Sequence, residues 1–85
     1  MTRTHVTYGQ LGKVLRSMGF SCHIDSSPPS TRVYEHKQSG AIVFLPTFPD
    51  EDQVLDYHLV GVRVILDNFG VADPALFEAK LQKAG

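Results

Sequence analysis

The sequence of this 85-residue chain has little cysteine, no long apolar run and no marked excess of either charge. Its one cysteine, Cys22, excludes an intrachain disulfide and a cysteine-based zinc site, so we expect a reducing, cytoplasmic location. A membrane-spanning helix needs about 18 consecutive apolar residues, and because the sequence has no such run, a membrane is not an expected partner. The first five residues also lack the apolar core of a signal peptide.

The charge balance excludes a globally basic nucleic-acid-binding protein. Eight Lys and Arg residues stand against nine Asp and Glu residues, which gives a formal net charge of −1. Since nucleic-acid affinity comes mainly from cations that neutralise phosphates, RNA binding would require a local basic patch. The charges are segregated along the chain in a way that permits one. The basic residues of the first half are Arg3, Lys13, Arg16, Arg32 and Lys37, and the acidic cluster of the second half is Asp50, Glu51, Asp52 and Asp56.

The clearest local signal is a helix that begins after Thr7. Thr7 and Gln10 have the spacing of a capping box, in which each side chain binds the backbone N–H of the other residue. Gly19 then provides the left-handed residue that commonly ends a helix. The apolar residues between them follow the i, i+3, i+4, i+7 spacing of one buried face. They are Leu11, Val14, Leu15 and Met18.

Three strands are expected to follow this helix. Phe20, Cys22 and Ile24 alternate with polar residues, as in a half-buried strand whose apolar side faces inward. Residues 31–37 and 41–45 have the composition of two further strands joined by a hairpin turn. The third strand is apolar on both faces, which indicates that something covers its second face. A homodimer formed through this strand is one candidate.

A second helix is predicted from an apolar stripe at spacings of four and three residues. The acidic run at 50–52 is expected near a helix N-terminus, because the helix dipole favours negative charge there. A strand at residues 60–64 is the alternative, since β-branched residues alternate in that segment, but the longer stripe favours the helix. The stripe consists of Leu55, Leu59, Val62, Leu66 and Phe69.

A short third helix is predicted to begin at Asp73 and Pro74, which suit the N-cap and first helical positions. Its buried side is expected to contain Leu76, Phe77 and Leu81. The full order is helix, three-stranded antiparallel sheet, helix and C-terminal helix. Helices at both ends of such a sheet can pack on one of its faces, so we predict a single domain over residues 1–85 with an α+β, two-layer sandwich fold.

Four short motifs occur in an order and spacing that a known family shares. They are Gly19-Phe20, Val33-Tyr34-Glu35-His36, Ile42-Val43-Phe44-Leu45-Pro46, and Val62-Arg63-Val64-Ile65-Leu66 followed by Gly70-Val71. This order resembles the small HicA-like toxins of toxin–antitoxin systems. The resemblance runs from about Tyr8 to Val71 and implies a fold like the double-stranded RNA-binding domain. It also implies RNA cleavage as the family activity and an antitoxin-like protein as a partner.

The chain departs from the family pattern at the catalytic position. HicA-like proteins open the second strand with Gly-Ser-His, whereas this sequence has Pro29-Ser30-Thr31. Thr31 therefore stands where the resemblance implies the catalytic histidine. A threonine hydroxyl cannot act as a general base near neutral pH, whereas a histidine can. The resemblance therefore leaves open whether the protein is an enzyme.

His36 is the candidate that would replace the absent catalytic histidine. RNA cleavage through the 2′-hydroxyl needs a base to remove its proton and a cation to stabilise the negatively charged transition state. His36, at the end of the second strand, would provide the base, and Arg32 or Lys37 would provide the cation. A solvated histidine beside a turn is the simpler alternative.

Five residues are candidates for RNA binding. If the strands alternate regularly, His23 shares a sheet face with Arg32, Tyr34 and His36, and Tyr34 would stack on a base. The outer side of the first helix carries further cations, and the resemblance implies that this helix contacts the RNA minor groove. A solvated polar surface is the alternative in both places. The candidates are Lys13, Arg16, Arg32, Tyr34 and Lys37.

Three functions are compatible with these features. The first is a HicA-like RNA-binding domain whose ribonuclease activity is lost or altered. The second is a protein-interaction module that dimerises or binds an antitoxin-like partner through an apolar sheet face around Val43 and Leu45. The third is an active mRNA-cleaving ribonuclease that uses His36. No cofactor or metal is expected, because His23, Asp25 and His36 lack the compact spacing of a metal site.

Overall fold

A computed structural model describes residues 6–27 and 30–84, so Arg3 and the prolines at 28 and 29 lie outside the described part. The predicted α+β architecture is confirmed, with three helices and one three-stranded sheet in the expected order. The segment that allowed two interpretations, residues 60–64, is helical. The elements are α1 (Tyr8–Ser17), β1 (Ser21–Asp25), β2 (Thr31–His36), β3 (Ala41–Pro46), α2 (Asp56–Asn68) and α3 (Pro74–Ala84).

The strands form an antiparallel meander in the order β1-β2-β3, and their register defines two faces. Cys22 lies opposite Tyr34, and Tyr34 lies opposite Val43. Directly opposite residues share a face and neighbours along a strand alternate, so the register assigns every strand residue. The face that we call covered contains Cys22, Ile24, Arg32, Tyr34, His36, Ala41, Val43 and Leu45. The face that we call open contains Ser21, His23, Asp25, Thr31, Val33, Glu35, Ile42, Phe44 and Pro46.

All three helices contribute to a core that lies on the covered face. Every strand residue in the main hydrophobic cluster belongs to that face, and α2 packs directly on β3. Helix α3 packs against both α1 and α2. Two layers therefore enclose a single core, while none of the three described helices covers the open face, where Ile42 and Phe44 are exposed. None of the helices in residues 6–27 and 30–84 has the length and apolarity of a membrane span.

Both ends of α1 have the expected structure. The Gln10 N–H donates to Thr7 Oγ1 at 3.2 Å, and the Thr7 N–H donates to Gln10 Oε1 at 2.9 Å, which completes the capping box. Gly19 has φ of +99°, and the Phe20 N–H donates to the Leu15 carbonyl oxygen at 3.1 Å. The helix therefore ends in a tight turn that leads straight into β1.

The predicted buried stripes of α2 and α3 are correct at their centres and wrong at their edges. Val62 and Leu66 are buried, but Leu55 and Phe69 are exposed because they are the caps of α2 and lie beyond its regular turns. Phe77 and Leu81 are buried on α3. Leu76 is exposed because its position is rotated by about 100° from Phe77, away from the core.

Two predictions about the strands are also wrong. Ile24 is exposed, since it lies on β1, the edge strand farthest from α2. The apolar surface expected around Val43 and Leu45 is buried under the helices, with relative exposures of 1% and 3%. The exposed apolar side chains of β3 are their neighbours Ile42 and Phe44, which point to the open face.

Candidate functional site

The acidic segment 50–52 lies against the N-terminus of α1. The Tyr8 N–H donates to the Asp52 carbonyl oxygen and the Gly9 N–H donates to the Asp50 carbonyl oxygen, both at 3.0 Å. These bonds satisfy two of the backbone donors that a helix N-terminus leaves free. The acidic run is therefore near a helix N-terminus, as predicted, but the helix is α1 rather than the predicted α2.

This docking creates a solvent-open groove of about 450 Å³ between α1, the start of β2 and the acidic segment. We call it the arginine groove. Lys13 and Arg16 enter it from α1, one helical turn apart, and Arg32 enters from β2. Three of the five predicted RNA-binding residues, all of them cations, therefore converge here. A fourth, Tyr34, also lines the groove. Its remaining lining residues are Thr7, Tyr8, Gly9, Gln10, Gly12, Asp50 and Glu51.

Arg32 is held in the groove by an ion pair with Asp50. The Arg32 Nη2 and Asp50 Oδ1 atoms are 2.7 Å apart, and Arg32 also donates to the Phe48 carbonyl oxygen at 3.4 Å. The hydrogen bond to Asp50 raises the pKa of Arg32 above its ordinary value, so the guanidinium keeps its charge. Because the Asp50 side chain is 69% exposed, the pair remains open to competition from water and solutes.

Tyr34 forms the floor of the arginine groove. Its side chain is only 2% exposed, and burial is the main reason why the pKa of its hydroxyl is raised. The prediction that Tyr34 stacks on an RNA base is therefore wrong, because the ring lies beneath α1. A Cβ atom on Gly12 would come within 2.7 Å of the Tyr34 hydroxyl oxygen, so this close approach depends on glycine.

His23 does not share a face with Arg32, Tyr34 and His36, so that prediction is wrong. In the antiparallel register His23 lies opposite Val33, which puts it on the open face. There its Nδ1 atom is 3.8 Å from Glu35 Oε1. The two histidines of the metal set considered above, His23 and His36, therefore lie on opposite sides of the sheet.

His36 stabilises the hairpin turn. The Ser39 N–H donates to His36 Nδ1 at 3.2 Å, and the Ser39 Oγ atom is 2.8 Å from the same nitrogen. The other side of the ring packs on Phe20, with 5.1 Å between ring centroids. Nδ1 therefore acts as a hydrogen-bond acceptor within the turn, and the ring is half-buried.

Only one of the two cations expected to assist His36 lies away from it. Arg32 is four residues away along an extended strand, which is about 13 Å. Lys37 follows His36 directly, in the exposed turn after β2, and does not line the arginine groove. The combination of His36 with Arg32 is thus not assembled around one point, whereas that of His36 with Lys37 stays a prediction.

A polar contact that the sequence patterns do not predict joins α1 to the start of α2. The Leu55 N–H donates to the Tyr8 hydroxyl oxygen at 3.4 Å, and that hydroxyl lies 2.8 Å from His58 Nδ1. The hydroxyl therefore accepts from the backbone of the α2 cap and shares a hydrogen bond with the histidine ring. Tyr8 lies 50 residues from His58, and no local pattern signals a pairing over that distance.

Comparison of the chain with known protein families, with curated proteins and with solved structures finds no match. The chemistry of the groove must therefore be judged from its own residues. Three cations and two carboxylates line it, and none of the histidines in the described part of the chain does. Such a groove can bind an anion, and its possible proton acceptors are carboxylates, Asp50 and Glu51.

Proposed function

We propose that this protein is an RNA-binding domain that holds backbone phosphates in the arginine groove and does not cleave the RNA. The observation that supports this most directly is the convergence of Lys13, Arg16 and Arg32 on one solvent-open groove. A chain with a net charge of −1 needs such a concentration of cations to bind a polyanion. The HicA-like resemblance adds weight, since α1 is the helix it implies at the RNA surface.

The two arginines of the groove suit the oxygens of a phosphate. A guanidinium offers several N–H donors in a fixed plane, which match the oxygens of a phosphate in bidentate fashion. In the free protein Asp50 occupies one side of Arg32. An entering phosphate would replace the exposed Asp50 carboxylate at Arg32, while Lys13 and Arg16 would add charge from the facing helix.

The absence of cleavage in this proposal follows from what surrounds the groove. Attack by a 2′-hydroxyl needs a base close to the phosphate that the cations hold. His36, the histidine considered as that base, is committed to the hairpin turn. Thr31 points to the open face, away from the groove. RNA bound here would thus be held without a histidine or threonine that activates it.

The test is a binding titration with a fluorescently labelled single-stranded RNA at low and moderate salt. We expect Arg16→Gln/Arg32→Gln to weaken binding about tenfold or more at low salt, because it removes two of the three groove cations. The matched control is Lys37→Gln/Arg63→Gln, which removes the same charge away from the groove and should retain most of the affinity. Arg16→Gln alone serves as a second variant, because Arg16 is exposed and its loss should not disturb folding.

Three results would contradict this proposal. The first is no salt-sensitive RNA binding by the unchanged protein. The second is an equal loss of affinity in the groove variant and its control, which would mean that RNA affinity depends only on the net charge of the protein. The third is RNA cleavage that persists after purification of the protein to homogeneity and disappears in His36→Ala, which would make the protein a ribonuclease.

The open face supports a second candidate function, protein interaction. Phe44 is 65% exposed and Ile42 is 40% exposed, and both lie beside Val33 on the central strand. Apolar side chains grouped in this way often mark a surface that binds another protein. The expected signature is a mass that rises with concentration in sedimentation and falls back to the monomer in Phe44→Ser. A monomer at every concentration would leave only a different protein, such as an antitoxin-like partner, as the ligand of this face.

A further inference from the structure

A second groove, with a different charge pattern, lies on the other side of α1. It has a volume of about 290 Å³ and is formed where α1 packs against α3. Its lining residues are Lys13, Val14 and Ser17 of α1 and Lys80 and Lys83 of α3. We call it the lysine groove. Among the residues that the structure describes, no carboxylate lines it, in contrast to the arginine groove.

The two grooves are connected through Lys13, which lines both of them. The pairs Lys13–Arg16 and Lys80–Lys83 each have the i, i+3 spacing that puts side chains next to each other on a helix. Within the described residues, neither Lys80 nor Lys83 forms an ion pair with a carboxylate. Their charges are therefore available to a ligand from solution.

The distribution of cations over the molecule concentrates on these grooves. The sequence has eight Lys and Arg residues, one of which, Arg3, lies outside the described part. Five of the other seven line the two grooves. The two exceptions are Lys37, in the hairpin turn, and Arg63, which is 3.9 Å from Glu78. Most of the described Lys and Arg residues of this slightly acidic protein therefore lie in the two grooves on either side of α1.

We propose that the lysine groove extends the RNA site over α1 onto α3, so that one phosphodiester chain runs from Arg32 across Lys13 to Lys80 and Lys83. This inference rests on the proposed function. A single phosphate would need only one groove, whereas a continuous line of cations on both sides of a helix matches a polyanion with regularly spaced charges. Lysine ammonium groups act as point charges without a preferred plane, so this part of the site holds the backbone irrespective of base sequence.

The experiment measures how RNA affinity depends on salt in Lys80→Gln/Lys83→Gln. Each phosphate contact to a single strand contributes about 0.7 to the slope of log K against log salt. We expect the variant to bind about three- to tenfold more weakly at low salt and to lose about 0.7 of slope for each lysine that contacts a phosphate. The charge-matched control Lys37→Gln/Arg63→Gln should keep the original slope. Both lysines are on the surface of α3, and thermal unfolding would verify that the fold is retained.

The outcomes separate this inference from the function on which it rests. A normal slope in Lys80→Gln/Lys83→Gln, together with loss of binding in Arg16→Gln/Arg32→Gln, would overturn the extension and leave the arginine groove as the whole site. No RNA binding by the unchanged protein would overturn both proposals. Displacement of RNA by polyglutamate at the same charge concentration would overturn RNA as the ligand and make an acidic protein segment the occupant.

Discussion

The two faces of the sheet differ in what covers them, although both are built from alternate residues of the same strands. On the covered face, Tyr34, Val43 and Leu45 are buried under three helices. On the open face, Phe44 and Ile42 remain in contact with water. The covered face also delivers Arg32 to the edge of α1, where it meets the helix cations. One face therefore provides both the core and a wall of the arginine groove, and the other is exposed to solvent.

The largest expected difference between the faces is in stability. Leu45→Ala should lower the free energy of unfolding by about 2–5 kcal/mol, because it leaves a cavity in the core. Phe44→Ala, one residue earlier on the opposite face, should cost about 1 kcal/mol or less. Urea denaturation of the two variants measures both values. Similar losses would mean that the open face is covered in solution.

The next expected effect concerns the contact between α1 and the covered face. Gly12→Ala should destabilise the protein by about 1–3 kcal/mol, because the new Cβ would lie 2.7 Å from the buried Tyr34 hydroxyl oxygen. The matched control is Gly61→Ala in α2, where nothing lies within 4 Å of the added atom. That change should stabilise the helix by about 0.5–1 kcal/mol. A stabilising Gly12→Ala, measured by thermal unfolding, would show that α1 does not need to approach so closely.

A smaller effect is expected on RNA affinity from the carboxylate that faces Arg32. Asp50→Asn should raise the affinity about two- to fivefold, because the phosphate no longer competes with an ion pair worth up to about 1 kcal/mol. Glu35→Gln removes the same charge from the open face and serves as the control in fluorescence titrations. An equal gain in both variants would attribute the effect to net charge instead of to the groove.

The smallest expected effect is on the pH dependence of stability. Burial raises the pKa of Tyr34, so the folded protein holds this proton more tightly than the unfolded chain does. Its contribution is therefore fully present below the unfolded pKa of about 10 and is lost as the pH rises through the folded value. Tyr34→Phe should make the alkaline decline in the free energy of unfolding less steep. Alkaline unfolding curves of Tyr34→Phe and the unchanged protein, followed by circular dichroism, measure this difference.

Much of the fold could be predicted from local patterns. The capping residues Thr7 and Gln10, the terminal Gly19 and the start of α3 at Asp73 and Pro74 are all determined by neighbours within a few positions. The Leu76 N–H, for example, donates to Asp73 Oδ1 at 2.8 Å. Errors arose where burial depends on distant elements. Leu55, Phe69 and Ile24 fit their periodic patterns but lie beyond the area that the helices cover.

The candidate site could be predicted only in part. The sequence patterns predicted three cations as candidates for RNA binding, and the structure brings them together in the arginine groove. They are Lys13, Arg16 and Arg32. Whether His23 shares a face with Tyr34 could not be predicted, because it depends on the register of the β1–β2 pair, and a shift of one residue reverses every side chain. The docking of Asp50 beside α1 was also inaccessible, since it joins segments about forty residues apart through backbone hydrogen bonds that have no sequence signature.

The apolar strand β3 has a consequence for the order in which the chain is made. Synthesis proceeds from the N-terminus, so β3 leaves the ribosome before α2, the helix that packs on it. Until α2 has emerged, both sides of this edge strand are unprotected, and its run from Ala41 to Leu45 contains no charge that would discourage association with other chains. Pro46, which lacks a backbone N–H, limits the length of any such pairing. We therefore expect β3 to be most open to association with other chains in the interval between its own emergence and that of α2.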